Sequence, residues 1–169
     1  MQWELITNII LITALITMVV FACLGLYQWI TRKSLKKVDQ ELLWLPLPLA
    51  IMAVVYFVFD KLIILSTRPN GSGEPSFPST HVMVVATIFF LVTIILPKYV
   101  KNKVLKAVIE IIILVLISLT CTGRVLSEMH SIGDVIGGLV FAFVFSEIYY
   151  LTLKRSKKNA KHLHENHKR

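Results

Sequence analysis

With 169 residues, 56% of them hydrophobic, and a mean hydropathy of +0.72, this chain is more apolar than an ordinary soluble domain. Its net charge of +8 comes from basic residues clustered between apolar runs, not spread over one face, which argues against a nucleic-acid partner. Cys23 and Cys121 each fall inside an apolar run and no Cys/His spacing suits a metal, which excludes a disulfide framework and a metal centre.

In chain order, Met1–Glu4 carries no cation and is followed by an apolar run, Leu5–Ile30, too long for the core of a signal peptide. It is expected to remain as a first transmembrane helix. Further runs follow at about Leu42–Leu65, Thr80–Leu96, Val104–Cys121 and Ile132–Leu153. At about 1.5 Å of rise per residue, runs of this length cross a hydrocarbon core of roughly 30 Å. Five such segments suit helices and not a closed barrel. The predicted fold is all-α, an integral membrane bundle of five transmembrane helices. Residues 1–153 form one domain, followed by a basic tail at 154–169.

Arg32, Lys33, Lys36 and Lys37 follow the first span, Lys98, Lys101, Lys103 and Lys106 lie near the gap between the third and fourth, and seven Lys and Arg follow the fifth. All three places lie on one side of a five-span chain, and the positive-inside rule makes that side the cytoplasm. The chain is thus expected in the cell membrane as a multi-pass protein, with an extracytoplasmic N-terminus and a cytoplasmic C-terminus. Glu110 and Glu147, close to that side, are expected to pair with its lysines. Lys61, Arg68 and Arg124, with His81 and His130, are left on the opposite side, where topology does not account for them.

Lys61 and Arg68 are seven residues apart, two turns on one helical face, and Pro69 ends the helix there. Ser79 opens the third span as a candidate N-cap, and the free N–H groups of that first turn suit an anion. His130 precedes Asp134 by four, one face at the start of span five. Arginine forks bind phosphate oxygens bidentately, lysine adds a point charge, and a carboxylate holds a histidine in one tautomer. The set reads as an anion site beside a nucleophile.

These residues resemble the motifs of the type 2 phosphatidic acid phosphatases, which share their site with the vanadium haloperoxidases. The family pattern K-x6-R-P, P-S-G-H and S-R-x5-H-x3-D is met here by Lys61…Arg68-Pro69, Pro78-Ser79-Thr80-His81 and Gly123-Arg124…His130…Asp134. The resemblance spans the second to fifth helices. Thr80 stands where the family has glycine, Gly123 where it has serine, and the connection from Pro69 to Pro78 is short.

The resemblance implies a lipid phosphatase in which His130 attacks phosphorus to form a phosphohistidine, Asp134 orients His130, and His81 is the general acid and base. Lys61, Arg68, Ser79, Thr80 and Arg124 would hold the phosphoryl oxygens in place of a metal, so no cofactor is expected. The partners implied are a lipid phosphate substrate and the surrounding membrane lipids. Undecaprenyl diphosphate, phosphatidylglycerol phosphate and phosphatidate all fit a headgroup site at the membrane boundary, and the short outward-facing chain favours the first. A phosphotransferase acting between lipids and a non-catalytic lipid-phosphate binder or transporter are the alternatives.

Overall fold

A computed structural model describes residues 2–33 and 39–166, with side chains to residue 160. Lys36, Lys37, Lys168 and Arg169 lie outside the described residues. The architecture is all-α, with five helical segments long and apolar enough to cross a membrane. In order they are α1 (Gln2–Arg32), α2 (Gln40–Leu43) with α3 (Pro46–Phe57), α4 (Thr80–Tyr99), α5 (Lys103–Leu126) and α6 (Ile132–Asn166). The second span is thus built of two pieces. Pro46 sits in the first turn of α3, where its missing N–H costs nothing and its fixed φ suits a helix start.

α4 is the axis of the bundle. Over half of its apolar window is buried, 56%, against 17% for α1, the second span and α5. Val82, Met83, Val85, Ala86, Ile88, Leu91 and Ile95 of α4 are all buried, so this helix is apolar all round and enclosed by the others. Ile12, Val19, Ile111 and Leu114 on α1 and α5 are more than half exposed, which is the lipid-facing pattern of a helix at the rim of a membrane bundle. α6 packs closest to α4. A Cβ on Gly138 would stand 2.9 Å from the Ser79 carbonyl oxygen and 3.2 Å from the Met83 nitrogen, so only glycine lets the two backbones approach this far.

α5 starts at a side-chain cap, with Asn102 Oδ1 accepting from the N–H groups of Val104 at 2.9 Å and Leu105 at 3.1 Å, two donors otherwise left over at a helix start. It also runs further than its apolar run suggests. Arg124, expected in a loop after the fourth span, lies in the last turn of α5 and is 4% exposed. There Gly123 packs against α1, where a Cβ on it would stand 2.6 Å from Thr7 Cγ2.

At the end of the bundle away from the histidines, the buried Glu41 carboxylate pairs with Lys98 Nζ and Lys157 Nζ, each at 2.7 Å. Tyr149 donates to the Glu41 carbonyl at 2.6 Å, and Ser156 bonds Gln40. Lys98 also reaches Asp39 at 3.0 Å. This clasp ties α2, α4 and α6 together. It also shows that the basic stretch after residue 153 continues α6 as one helix and packs on the start of the second span. Lys106 meets Glu110 at 3.5 Å, and Glu147 is exposed.

Candidate active site

At the other end a cavity of about 230 Å³ opens. Arg68, Thr80, His81, Arg124 and His130 line it, together with Asp60 and an apolar set that includes Leu11, Tyr56, Phe59 and Phe77. Residues from α4, α5 and two loops therefore meet in one place. Ser79 is fully buried beside the cavity; its N–H donates to the Asp134 carbonyl at 2.9 Å. It is the residue before α4, but its hydroxyl makes no cap bond.

His130 is held from both sides. One ring nitrogen, Nδ1, stands 2.9 Å from the Ser76 carbonyl oxygen, and the other, Nε2, stands 3.3 Å from Arg124 Nη2. A carbonyl only accepts and a guanidinium only donates, so these partners assign the proton to Nδ1 and the lone pair to Nε2. Burial, and then the Arg124 guanidinium, push the His130 pKa down to about 4, against a smaller upward pull from the Ser76 carbonyl and Asp134. The imidazole is therefore neutral at pH 7, with its lone pair turned toward a cation and a cavity. That is the state a nitrogen nucleophile requires.

The expected contact between Asp134 and His130 is replaced by an indirect one. Asp134 forms a reciprocal cap at the start of α6, with Oδ2 accepting from Ser131 N–H at 2.7 Å and its own N–H donating to Ser131 Oγ at 3.2 Å. Its other oxygen accepts from Ser66 Oγ at 2.8 Å, and Ser66 Oγ lies 2.8 Å from Ser76 Oγ. Ser76 N–H also donates to the Ser66 carbonyl at 3.0 Å. The carboxylate therefore fixes the strand-like pair at Ser66 and Ser76, and the Ser76 carbonyl fixes His130. The S-x-x-D signature at Ser131–Asp134 marks such a cap in the sequence.

Lys61 is not brought to the cavity. It is exposed and pairs with Asp60 at 2.7 Å. The helix does not continue to Arg68: a π-helical turn at Val58–Leu62 closes α3, and Ile63 is extended. A π turn changes the phase of the helix, and the extended segment breaks it, so a spacing of seven no longer means a shared face. Arg68 instead sits in the turn closed by the antiparallel bridge between Thr67 and Pro75, where its N–H donates to the Glu74 carbonyl at 3.0 Å and Nη1 meets the Glu74 carboxylate at 2.5 Å.

Three buried polar atoms here have no hydrogen-bond partner within the described protein: Nε of Arg68, Nε of Arg124 and Oγ of Ser79. Buried donors are nearly always paired, and an anion with several acceptor oxygens satisfies such a set. Gly123, in the place of the family's serine, is explained by α1. A Cβ there would stand 2.6 Å from Thr7 Cγ2, so the missing side chain is what admits the first helix to the site. Two polar residues of α1 outside the motifs also stand here, Thr7 and Asn8; the latter meets His81 Nε2 at 2.9 Å. No group of three or more His, Cys, Asp and Glu placed to hold a metal occurs among the described residues.

Five helical segments long and apolar enough to cross a membrane thus carry, at one end, a cavity lined by two histidines and two arginines. The family model described as the PAP2 superfamily matches residues 57–158, more than half of the chain. The chain belongs to the PAP2 superfamily, whose members are phosphatases. Neither the curated proteins nor the solved structures gave a match to it.

Proposed function

We propose that this chain hydrolyses a lipid phosphate through a phosphohistidine, at the extracytoplasmic face of the cell membrane. The observation that carries the reading is the His130 ring, neutral and with Nε2 presented beside Arg124 in a cavity that also holds Arg68 and His81. The site face is assigned outward because the basic residues gather at the other end.

In the first step the Nε2 lone pair of His130 attacks phosphorus and the bond from phosphorus to the leaving oxygen breaks. That oxygen takes the proton of His81 and departs as a lipid alcohol, or as a lipid monophosphate when the substrate is a diphosphate. In the second step a water oxygen attacks phosphorus, its proton passes to His81, and the N–P bond breaks to release phosphate. Arg68 and Arg124, with the N–H groups opening α4, offset the charge on the phosphoryl oxygens. These cations supply the electrostatic role that a metal takes elsewhere, so the reaction is read as metal-independent. Leu11, Tyr56, Phe59 and Phe77 in the same lining favour a headgroup that carries a hydrocarbon chain. Among such substrates undecaprenyl diphosphate is preferred over phosphatidylglycerol phosphate and phosphatidate.

The purified chain in detergent should release phosphate from these lipids with chelator present, and His130→Ala should abolish both release and the acid-labile phosphoenzyme seen on rapid quench. Undiminished release by that variant would end this reading.

A further inference from the structure

Asn8 lies on α1, outside the residues 57–158 that the family model matches. Its Oδ1 stands 2.9 Å from Nε2 of His81. The amide has two orientations with different consequences for the ring. If nitrogen faces the ring, Nε2 must accept, and the contact is lost whenever the ring is doubly protonated. If oxygen faces the ring, Nε2 keeps its proton and donates it in the neutral and the charged ring alike. A histidine that gives and later takes a proton at one atom needs a partner of the second kind, because only that partner is unchanged through the cycle.

The seating of Asn8 is fixed by its neighbours. Thr7 is fully buried, and its γ-methyl fills the space that a side chain at Gly123 would need. Leu11, nearly one turn further, lines the cavity. This end of α1 is therefore a wall of the site, set against the helix that carries Arg124.

We propose that Asn8 is the positioning residue of the acid–base histidine: its amide oxygen holds Nε2–H of His81 and commits Nδ1 to the proton transfers. This rests on the reading of His81 given above. The Nδ1 proton passes to the leaving oxygen as its bond to phosphorus breaks and the N–P bond forms; a water proton returns to Nδ1 as the water oxygen bonds phosphorus and the N–P bond breaks. The charged and titratable groups that share the cavity with His81 are Tyr56 from α3, Asp60 from the π turn, Arg68 from the segment between α3 and α4, Arg124 from α5 and His130 from the loop before α6.

The test uses the full chain in detergent with a short-chain lipid phosphate, comparing wild type, Asn8→Ala, Asn8→Asp and His130→Ala. Asn8→Ala should lower kcat about ten- to a hundredfold, part of what a positioned proton donor contributes, with KM within twofold. Asn8→Asp keeps the shape and the acceptor but adds a charge that favours the imidazolium, so the alkaline limb of kcat should move up by about one pH unit or more. Should Asn8→Ala fail to fold, Asn8→Asp carries the test alone. A folded Asn8→Asp with the wild-type pH profile overturns the inference, as does a folded Asn8→Ala with wild-type kcat. Phosphate release that survives in His130→Ala counts against the phosphohistidine mechanism instead, and so separates the two failures.

Discussion

The Nδ1 atom of His130 donates to the carbonyl oxygen of Ser76, 2.9 Å away and 54 positions earlier in the chain. A backbone carbonyl, not a carboxylate, thus sets the tautomer of the His130 ring. With burial and Arg124 pushing its pKa down to about 4, the ring should keep its Nδ1–H neutral form as the pH falls from 8 to 5. Imidazole nitrogen NMR on the protein in detergent reads this directly; a His130 signal that protonates near 6.5 would contradict it. The folded pKa lies below the unfolded value of about 6.5, so between the two the unfolded chain binds more protons. This group's contribution to stability is therefore present above about 6.5 and is lost as the pH drops toward 4.

Ser66 links Asp134 to Ser76. Ser66→Ala should leave the α6 cap in place and lower kcat by roughly tenfold, a modest share of a nucleophile's worth. Asp134→Asn should cost activity and melting temperature together, because it also weakens the bond to Ser131 N–H. Equal melting and equal activity in both variants would show that the link does not position His130.

Arg124 and Lys61 should separate sharply. Removing a buried donor aimed at developing charge costs about 10² to 10³ in kcat, and Arg124→Ala is expected there. Lys61 is exposed and paired with Asp60, and an ion pair held in water contributes little, so Lys61→Ala should leave kcat/KM close to that of the wild type. Measuring kcat/KM for both variants decides whether the family's first basic position is used in this chain; a loss for Lys61→Ala as large as for Arg124→Ala would restore it.

Gly123 and Thr7 should behave as a coupled pair. Gly123→Ser places a Cβ 2.6 Å from Thr7 Cγ2, an overpacked contact costing about 1 to 3 kcal/mol. Adding Thr7→Ala removes the obstructing methyl, so the double variant should be more stable than the sum of the singles. Thermal melting in detergent gives the four values; strict additivity would mean that the two helices do not meet here.

Glu41→Ala should lower the melting temperature while leaving kcat within twofold, since the clasp stands at the end away from the cavity. Removing one member of a buried ion pair costs about 3 to 5 kcal/mol; here about 1 to 3 is expected, because Lys98 and Lys157 are partly exposed and regain water.

The five spans are legible in the sequence because lipid imposes long, uninterrupted apolar runs, and no tertiary detail alters that. Arg68, Thr80, His81, Arg124 and His130 are legible through motif spacing, and the structure brings all of them to one cavity. Lys61 is misplaced by the same spacing, since a π turn and an extended segment at Leu62–Ile63 leave no periodic trace. The fourth span is read as closing at Cys121, where the apolar run stops, whereas α5 continues to Leu126 and carries Arg124 in its last turn. The grip of Ser76 on His130 is a main-chain contact, invisible to any reading of side chains. Asn8 and Thr7 are ordinary polar residues in an apolar run, and only the three-dimensional meeting of α1 with α4 and α5 gives them significance.

The first helix ends well before the stretch by which the family is recognised begins, and yet it touches both the His81 ring and the turn bearing an arginine. The recognisable portion of this chain is consequently smaller than its working portion. A version trimmed to its motifs would retain every residue the family pattern names and still be missing one side of the vessel in which they act.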